Sequence, residues 1–316
     1  MYDTVHFQIG DGTTDFTPLA KYLSNVKNVS DEDGVLLYIE GYIGSLYVRL
    51  SHGWMICQDS LSRFYFGNNI KRMNPQQIQE AIEKLSDMLH YNVRMFNVTR
   101  IDIADCYSMN RPITEYFPCL GELSRFKRIN TVKDETLTYS QGDKKYGRSL
   151  VFYDKERELT DTRTAILQQL EIPKNLLRYE ARYYGRLATR FKEPAITGAT
   201  LYDETFFRKL VQLWYDSYCQ IEKQMSIIYN GMDLIKNMKG AKEYIFIAAL
   251  AQQPATFVSD MIRQFKQQRV FRNSSEYTRL HNEIYGLLHN PLITNESKLI
   301  VELNRKVRQT YDEMMG

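Results

Sequence analysis

The sequence contains few cysteines and no long apolar run. Its four cysteines are far apart and form no Cys-x-x-Cys pair, which argues against a zinc site and a disulfide framework. The longest apolar run, Tyr244 to Ala251, is too short to span a bilayer. Asp3, Asp11 and Asp15 interrupt the region where a signal peptide needs an apolar core. We therefore expect a cytoplasmic protein without a membrane role.

The sequence also lacks a large excess of charge of either sign. Its net charge of +3 is too small to indicate nucleic-acid binding by itself. Its distribution is more informative. Residues 1–59 carry 3 Lys/Arg against 8 Asp/Glu, and residues 121–192 carry 16 against 10. The basic excess in the second block predicts a place where an anionic ligand is held, with a solvated basic face as the alternative.

Length and composition allow a sizeable core. A chain of 316 residues with 43% hydrophobic residues is typical of one large or two moderate globular domains. Residues 35–40, 45–50 and 54–58 are short apolar runs separated by glycine-containing turns, which predicts an antiparallel meander. We predict an α+β fold, with an antiparallel-sheet catalytic domain over residues 1–195 and a helical region over residues 196–316.

The other predicted elements follow from periodicity and capping signals. Asn74-Pro75 precedes apolar residues at helical spacing and predicts a helix. Further predictions are a strand opening the chain, a helix near Pro118–Phe126, a helix over Thr160–Leu170, and a hairpin formed by residues 137–140 and 148–153 with a basic tip.

The C-terminal third shows helical periodicity. Residues 242–252, Pro254 and residues 255–268 predict a helix, a turn and a helix, and the second helix carries Arg263, Lys266 and Arg269 on or near one face. A DNA-binding helix-turn-helix is one interpretation of this pattern. Two packed amphipathic helices are the other.

Three short stretches rich in β-branched or aromatic residues put polar groups two residues apart. Because a strand sends alternate side chains to opposite faces, Arg100 shares a face with Asp102, and Arg178 shares one with Glu180 and Arg182. By the same alternation, the third stretch shows Tyr153 and Lys155 on one side.

Charges at this spacing have two interpretations. One is cross-strand ion pairing on a solvated face, Asp102 to Arg178 or Glu180 to Arg100. The other is a divalent cation held by one carboxylate from each of two strands, since Mg²⁺ prefers carboxylate oxygens and usually takes one or two from protein. Such a site would suit attack on a phosphodiester.

The same stretches resemble the replication initiators of filamentous phages and related rolling-circle Rep proteins of plasmids. Asn97–Ile103, Ser149–Leu159 and Leu176–Arg182 occur in the order found in that family, and Ser60–Asn69 is similar to a fourth block of the phage proteins. The resemblance covers about residues 35–190.

What the resemblance implies is an origin-specific, metal-dependent endonuclease that nicks one strand and stays joined to the 5′ phosphate through tyrosine. The matching segment makes Tyr153 the nucleophile, and Asp102 and Glu180 become ligands of Mg²⁺ or Mn²⁺. Origin DNA, a host helicase and a polymerase are the implied partners, with a homodimer as one oligomeric state. Many rolling-circle initiators use a His-hydrophobe-His pair, but no two of the five histidines here are two residues apart.

Residues around this set complete the predicted site. Lys155, Arg178 and Arg182 are expected to stabilise the reacting phosphate. Tyr139 and Tyr146 are the reserve nucleophiles. The predicted DNA contacts outside the C-terminal helices are Arg63, Asn68, Lys144, Lys145 and Arg148. A non-catalytic DNA-binding replication-control protein and a conjugative relaxase with the same chemistry remain the alternative functions.

Overall fold

A computed structural model of the chain describes residues 1–131, 135–143, 147–161, 172–228 and 235–316. Within those ranges the chain forms twelve strands and nine α-helices. The strands are β1 (Tyr2–Asp15), β2 (Ser24–Ser30), β3 (Leu36–Ile43), β4 (Leu46–Leu50), β5 (His52–Ser60), β6 (Asn97–Ser108), β7 (Lys127–Thr131), β8 (Thr136–Gln141), β9 (Arg148–Asp154), β10 (Leu176–Tyr184), β11 (Met225–Ile227) and β12 (Thr294–Glu296). The helices are α1 (Leu61–Phe66), α2 (Pro75–Leu89), α3 (Lys155–Asp161), α4 (Leu187–Phe191), α5 (Glu204–Cys219), α6 (Met238–Ala251), α7 (Phe257–Gln267), α8 (Ser274–Leu288) and α9 (Lys298–Met315).

Ten of the strands form one antiparallel sheet in the order β2-β3-β4-β5-β1-β6-β10-β9-β8-β7. The short strands β11 and β12 pair separately. A large antiparallel sheet with flanking helices and a helical C-terminal region confirms the predicted α+β class.

The sheet consists of two wings that meet at β1 and β6. The first wing contains β1 to β5, and the second contains β6 to β10. In each wing the last strand pairs with the first, so β5 pairs with β1 and β10 pairs with β6. The second wing therefore brings β6, β10 and β9 side by side, although long segments separate them in sequence. These three strands carry the motifs on which the family resemblance rests.

One face of the sheet packs against helices and forms the hydrophobic core. Alternate residues such as Val5, Phe7, Leu50, Met55 and Cys57 are almost completely buried on it. Helices α2, α5 and α9 contribute buried residues to the same hydrophobic cluster, and the Trp214 ring of α5 lies 5.1 Å from the Tyr179 ring of β10. The other face carries the polar residues of the strands.

The helix predicted after Asn74 is confirmed as α2. The Asn74 side chain accepts a hydrogen bond from the backbone N–H of Gln77 at 2.9 Å, and the Gln77 side chain accepts one from the backbone of Asn74 at 3.0 Å. This reciprocal capping box fixes the first turn. Ile78, Ile82 and Leu85 are fully buried on the predicted face.

The helix predicted near Pro118–Phe126 is wrong. Pro118 lies in a short 3₁₀ turn (Phe117–Cys119), and the chain then runs through Arg125, whose φ is +68°, into β7. Arg128 explains the irregular course, because its guanidinium donates to the carbonyls of Phe117 and Leu120 at 2.9 and 3.1 Å. Most of the helix predicted over Thr160–Leu170 lies outside the described residues.

The predicted helix pair of the C-terminal region is confirmed as α6 and α7, with Pro254 between them. The domain boundary after residue 195 stays a prediction. Among the described helices, none is both long and apolar enough to cross a membrane.

Candidate active site

The register of β6, β10 and β9 brings the predicted site residues of these strands onto the sheet face opposite the hydrophobic core. Arg182 lies directly opposite Asp102 on β6, and Arg178 lies directly opposite Tyr153 on β9. Glu180 lies between these two arginines on the same face of β10. Asp102, Glu180 and Tyr153 therefore share one sheet face.

The two carboxylates are buried and paired with arginines. Asp102 is 1% exposed and accepts hydrogen bonds from Nε of Arg100 at 2.9 and 3.1 Å. Glu180 accepts from Nε of Arg182 at 2.7 Å. Burial raises the pKa of Asp102 to about 7, although the Arg100 guanidinium opposes that rise. The ion pairs differ from the two predicted ones, because the register sets Arg182, not Arg178, opposite Asp102.

A single cationic group already contacts both acids. Arg182 binds Glu180, and its Nε lies 4.0 Å from Oδ2 of Asp102. One cation can therefore reach both carboxylates. Among the described residues no cluster of three or more His, Cys, Asp or Glu side chains forms a complete metal site. Two carboxylates nevertheless fit Mg²⁺ or Mn²⁺, which leave the remaining positions to water and substrate phosphate.

Arg178 is a buried residue that connects several parts of the site. It is 2% exposed, donates to the carbonyl of Asn69 at 2.7 Å, and lies 2.8 Å from Oδ2 of Asp3 and 3.5 Å from Oε1 of Glu180. It thus joins β10 to β1 and to the loop after α1. Contact with a reacting phosphate would require it to leave these partners.

Asp3 is the site residue that sequence reasoning missed. Its buried carboxylate accepts from the Ser60 hydroxyl at 2.8 Å and faces Arg178. Burial alone would raise its pKa, but the Arg178 guanidinium and hydrogen bonds with Glu180 and Ser60 hold that pKa well below its ordinary value. Asp3 belongs to no motif, so only its alternation within a predicted first strand could have pointed to it.

Tyr153 lies at the end of β9, beside Lys155. The Lys155 Nζ is 5.9 Å from the centre of the Tyr153 ring and pairs with Glu158. Burial raises the pKa of Tyr153, with Arg178 opposing it, and burial lowers the pKa of Lys155. Both shifts favour the neutral forms of the two groups.

The reserve nucleophile Tyr139 lies on the core side of the sheet. It is fully buried opposite Leu150, and its hydroxyl donates to the Gly121 carbonyl at 2.7 Å. The other reserve nucleophile, Tyr146, lies outside the described residues, as do Lys144 and Lys145.

The remaining predicted DNA contacts are spread over the surface. Arg63 lies in α1. Asn68 closes the turn after it, where its Oδ1 accepts from the backbone N–H groups of Ile70 and Lys71 at 3.2 and 3.3 Å. Arg148 donates to Gln141 at 2.7 Å.

In the C-terminal region Arg263 of α7 forms an ion pair with Glu122 at 3.1 Å. It also pairs with Asp260 of the same helix at 2.7 Å. Lys266 lies 5.8 Å from the centre of the Tyr277 ring. Arg269 follows the end of α7 with a φ of +54°. The structure therefore does not bring these three cations together with Asp102, Glu180 and Tyr153 in one cluster.

Comparison with known proteins decides the family. The model that describes the N-terminal region of a phage replication-associated protein family matches residues 42–214, which is more than half of the chain. The chain belongs to this family. The resemblance to replication initiators drawn from the motifs is thereby confirmed, and Asp102, Tyr153 and Glu180 all lie within the matched range.

Other comparisons add little. A solved structure described as the rolling circle replication initiator protein from Geobacillus stearothermophilus is similar, with 13% identity and a TM-score of 0.35, over 67% of this chain and 83% of that one. A search of curated proteins finds no match.

Proposed function

We propose that this replication-associated protein initiates rolling-circle replication by nicking one strand of its origin and later rejoining it through Tyr153. The observation that carries the proposal is the shared face of β6, β10 and β9, with Tyr153 opposite Arg178 and Asp102 opposite Arg182. A hydroxyl nucleophile, two acids and several cations within one small region are what phosphodiester transfer needs.

The proposed transfer conserves the number of phosphodiester bonds. The Tyr153 oxygen forms a bond to the phosphorus as the bond to the 3′ oxygen breaks, which leaves a 5′-phosphotyrosine and a free 3′ hydroxyl. The tyrosine proton is passed to the neutral amine form of Lys155, which burial favours, and the leaving 3′ oxygen takes up a proton from water. Rejoining is the reverse reaction and needs no ATP.

Asp102 and Glu180 are proposed to hold Mg²⁺ or Mn²⁺. When bound, such an ion would offset negative charge on the phosphate undergoing transfer. Arg182 already spans the two carboxylates, so its guanidinium would move aside and become available for the same phosphate. Arg100 would continue to orient Asp102.

The experiment compares two tyrosine variants on a supercoiled plasmid that carries the cognate origin, with Mg²⁺ or Mn²⁺ present. Tyr153→Phe should abolish relaxed circles and protein-linked DNA while it leaves origin binding intact, because only a hydroxyl is removed. Tyr139→Phe is the matched control, since it removes a hydroxyl from the other side of the sheet. It should cost about 1 kcal/mol of stability and keep nicking.

The same assay tests the metal ligands. Asp102→Asn and Glu180→Gln should remove cleavage, and EDTA should stop it in the wild type. Nicking by Tyr153→Phe at the wild-type rate, or undiminished nicking in EDTA, would contradict the proposal.

A further inference from the structure

The face of the sheet that carries the acids continues without a break into the first wing. A row of directly paired residues runs across five strands: Arg100 (β6), His6 (β1), Gln58 (β5), Tyr47 (β4) and Tyr42 (β3). Directly paired residues point to the same side of a sheet. The first wing therefore presents a surface continuous with that of Asp102 and Glu180.

This surface carries a group of aromatic residues around one arginine. We call Tyr38, Tyr42, Tyr47, Arg49 and Trp54 the aromatic patch. The guanidinium carbon of Arg49 lies 4.7 Å from the Tyr38 ring centre and 5.3 Å from that of Tyr47. The Trp54 and Tyr38 rings are 6.2 Å apart, and those of Tyr42 and Tyr47 are 5.6 Å apart.

The patch is partly open to solvent, whereas the residues that alternate with it in β4 and β5 are buried. Tyr42 is 40% exposed, while Val48, Leu50 and Met55, which point to the other side, are fully buried. Arg49 Nε donates to the Tyr47 hydroxyl at 2.6 Å, and that hydroxyl donates to Glu40. The Tyr47 ring is thus held in position while Tyr42 is exposed and the other rings are partly exposed, an arrangement that the hydrophobic core does not require.

We propose that the aromatic patch binds single-stranded DNA that leads to or from the strand cut at Tyr153, with bases stacking on its rings and Arg49 contacting phosphate. This proposal rests on the proposed nicking function. Aromatic rings beside a cation bind successive bases with little sequence preference, because every base has a π-face.

Position favours DNA as the occupant. From β9, which carries Tyr153, to β4, which carries Tyr47, there are five steps between neighbouring strands, or about 24 Å at ~4.8 Å each. The row of Tyr47 crosses β6 at Arg100, six residues from Cys106, which is in line with Tyr153, and this adds about 20 Å along the strands at ~3.3 Å per residue. Several nucleotides can span such a distance, which agrees with sites of about 4 to 16 nucleotides in other folds that bind single strands. Arg100 and His6 lie between the two ends on the same face.

The chain offers a direct optical test of stacking. It contains two tryptophans, and Trp214 is fully buried in the core while Trp54 belongs to the open patch. Addition of an oligothymidylate of about 16 nucleotides should quench the emission of Trp54 alone. Trp54→Phe should remove the quench and keep most of the affinity, because an aromatic ring remains.

Affinity measurements complete the test. Trp54→Ala and Tyr47→Ala should each weaken binding of the long oligothymidylate by about 5- to 150-fold. Their effect on an oligothymidylate of about four nucleotides should be much smaller, since such a probe can bind without reaching the patch. Arg49→Gln should reduce the slope of log affinity against log salt by about 0.7, the value for one phosphate bound on a single strand.

The outcomes separate this proposal from the nicking proposal. Absence of a quench, with unchanged affinity in the alanine variants, would overturn the patch proposal even if the wild type nicks its origin. An altered sedimentation coefficient of Trp54→Ala with unchanged DNA affinity would overturn it in favour of a second copy of the chain. If the alanine variants fail to fold, the wild-type quench, Trp54→Phe and Arg49→Gln decide the matter. Absence of nicking in the wild type, with the quench intact, would contradict only the nicking proposal.

Discussion

At the scale of single residues, the site is a balance of buried opposite charges. Asp3, Asp102 and Glu180 are nearly inaccessible, and Arg100, Arg178 and Arg182 are arranged around them. Removal of one member of a buried pair leaves an uncompensated charge, which typically costs about 3–5 kcal/mol. We expect the charges of this site to contribute to stability as well as to chemistry.

The pair formed by Asp3 and Arg178 gives a prediction with a definite sign. The pKa of Asp3 is lower in the folded chain than its ordinary value of about 3.9. The resulting stabilisation is therefore fully present above about pH 4 and is lost progressively as the pH falls from that value through the much lower pKa of the folded chain. Asp3→Asn should reduce the free energy of unfolding by about 3 kcal/mol at pH 7 and by a smaller amount at pH 3.

Urea unfolding at pH 7, 5 and 3 measures this difference. Asp33→Asn, in the exposed turn before β3, is the control and should change stability little at any of these values. A constant difference between the wild type and Asp3→Asn across the series would show that the pair with Arg178 does not act in this way.

Sequence alone predicted which polar residues share a face within each strand, because strand alternation is local. The family resemblance, not the alternation, singled out Asp102, Glu180 and Tyr153. Alternation did not predict which residues lie opposite each other on neighbouring strands. That Arg182 lies opposite Asp102 depends on how two strands that are distant in sequence align. Asp3 was missed for the same reason, because its proximity to Arg178 arises only when β1 enters the sheet.

At the scale of elements, the C-terminal helix is tied to the site region. Arg72, in the loop between α1 and α2, lies 2.9 Å from Asp105 of β6 and donates to Thr310 of α9 at 3.1 Å. Asn69 of the same loop accepts from Arg178. Helix α9 therefore packs on the sheet and also restrains a loop that contacts the site.

Two valines of α9 provide a matched test of this packing. Val307 is fully buried and Val301 is 52% exposed. Val307→Ala should cost about 1.5–3 kcal/mol of unfolding free energy, because it removes buried methyl groups and leaves a cavity. Val301→Ala should stay within about 0.5 kcal/mol. Equal effects in a thermal or urea unfolding series would indicate that α9 is not part of the core.

Local signals decided which elements were predictable. The capping signal of α2 and most strands of both wings lie within short stretches of sequence and were predicted, whereas β2 and β7 were not. The helix near Pro118 was wrong, because Arg128 satisfies carbonyls of that segment from outside it. An amphipathic face shows that α5 and α9 bury one side, but it does not reveal that the sheet covers it.

At the scale of the whole molecule, two wings share one continuous sheet and one open face. The proposed catalytic residues Asp102, Glu180 and Tyr153 lie in the second wing and the aromatic patch in the first. Neither the wing arrangement nor the meeting of β1 with β6 follows from periodicity, because both depend on pairing between distant strands. The overall class was nevertheless predictable from the succession of short strands and long helices.

The predicted duplex contacts on α7 are testable by salt dependence. Lys266→Gln combined with Arg269→Gln should reduce the slope of log affinity for origin duplex against log salt by about 0.9 for each phosphate that the variant no longer binds. Arg263→Gln should have a smaller effect on the slope, because its guanidinium already pairs with Glu122 and Asp260. Lys239→Gln, on the exposed side of α6, is the control. An unchanged slope in the double variant would show that α7 supports the fold without reading DNA.

The most direct test of the central claim is identification of the amino acid that becomes joined to DNA. The wild-type protein is incubated with its supercoiled origin and Mg²⁺ or Mn²⁺, digested with trypsin, and the DNA-linked peptide is sequenced by mass spectrometry. Cleavage after Arg148 and Lys155 releases residues 149–155, in which Tyr153 is the one tyrosine. The account predicts a 5′-phosphate attached to this peptide, dependent on the metal. A linkage to any other peptide, or nicking without a covalent adduct, would contradict it.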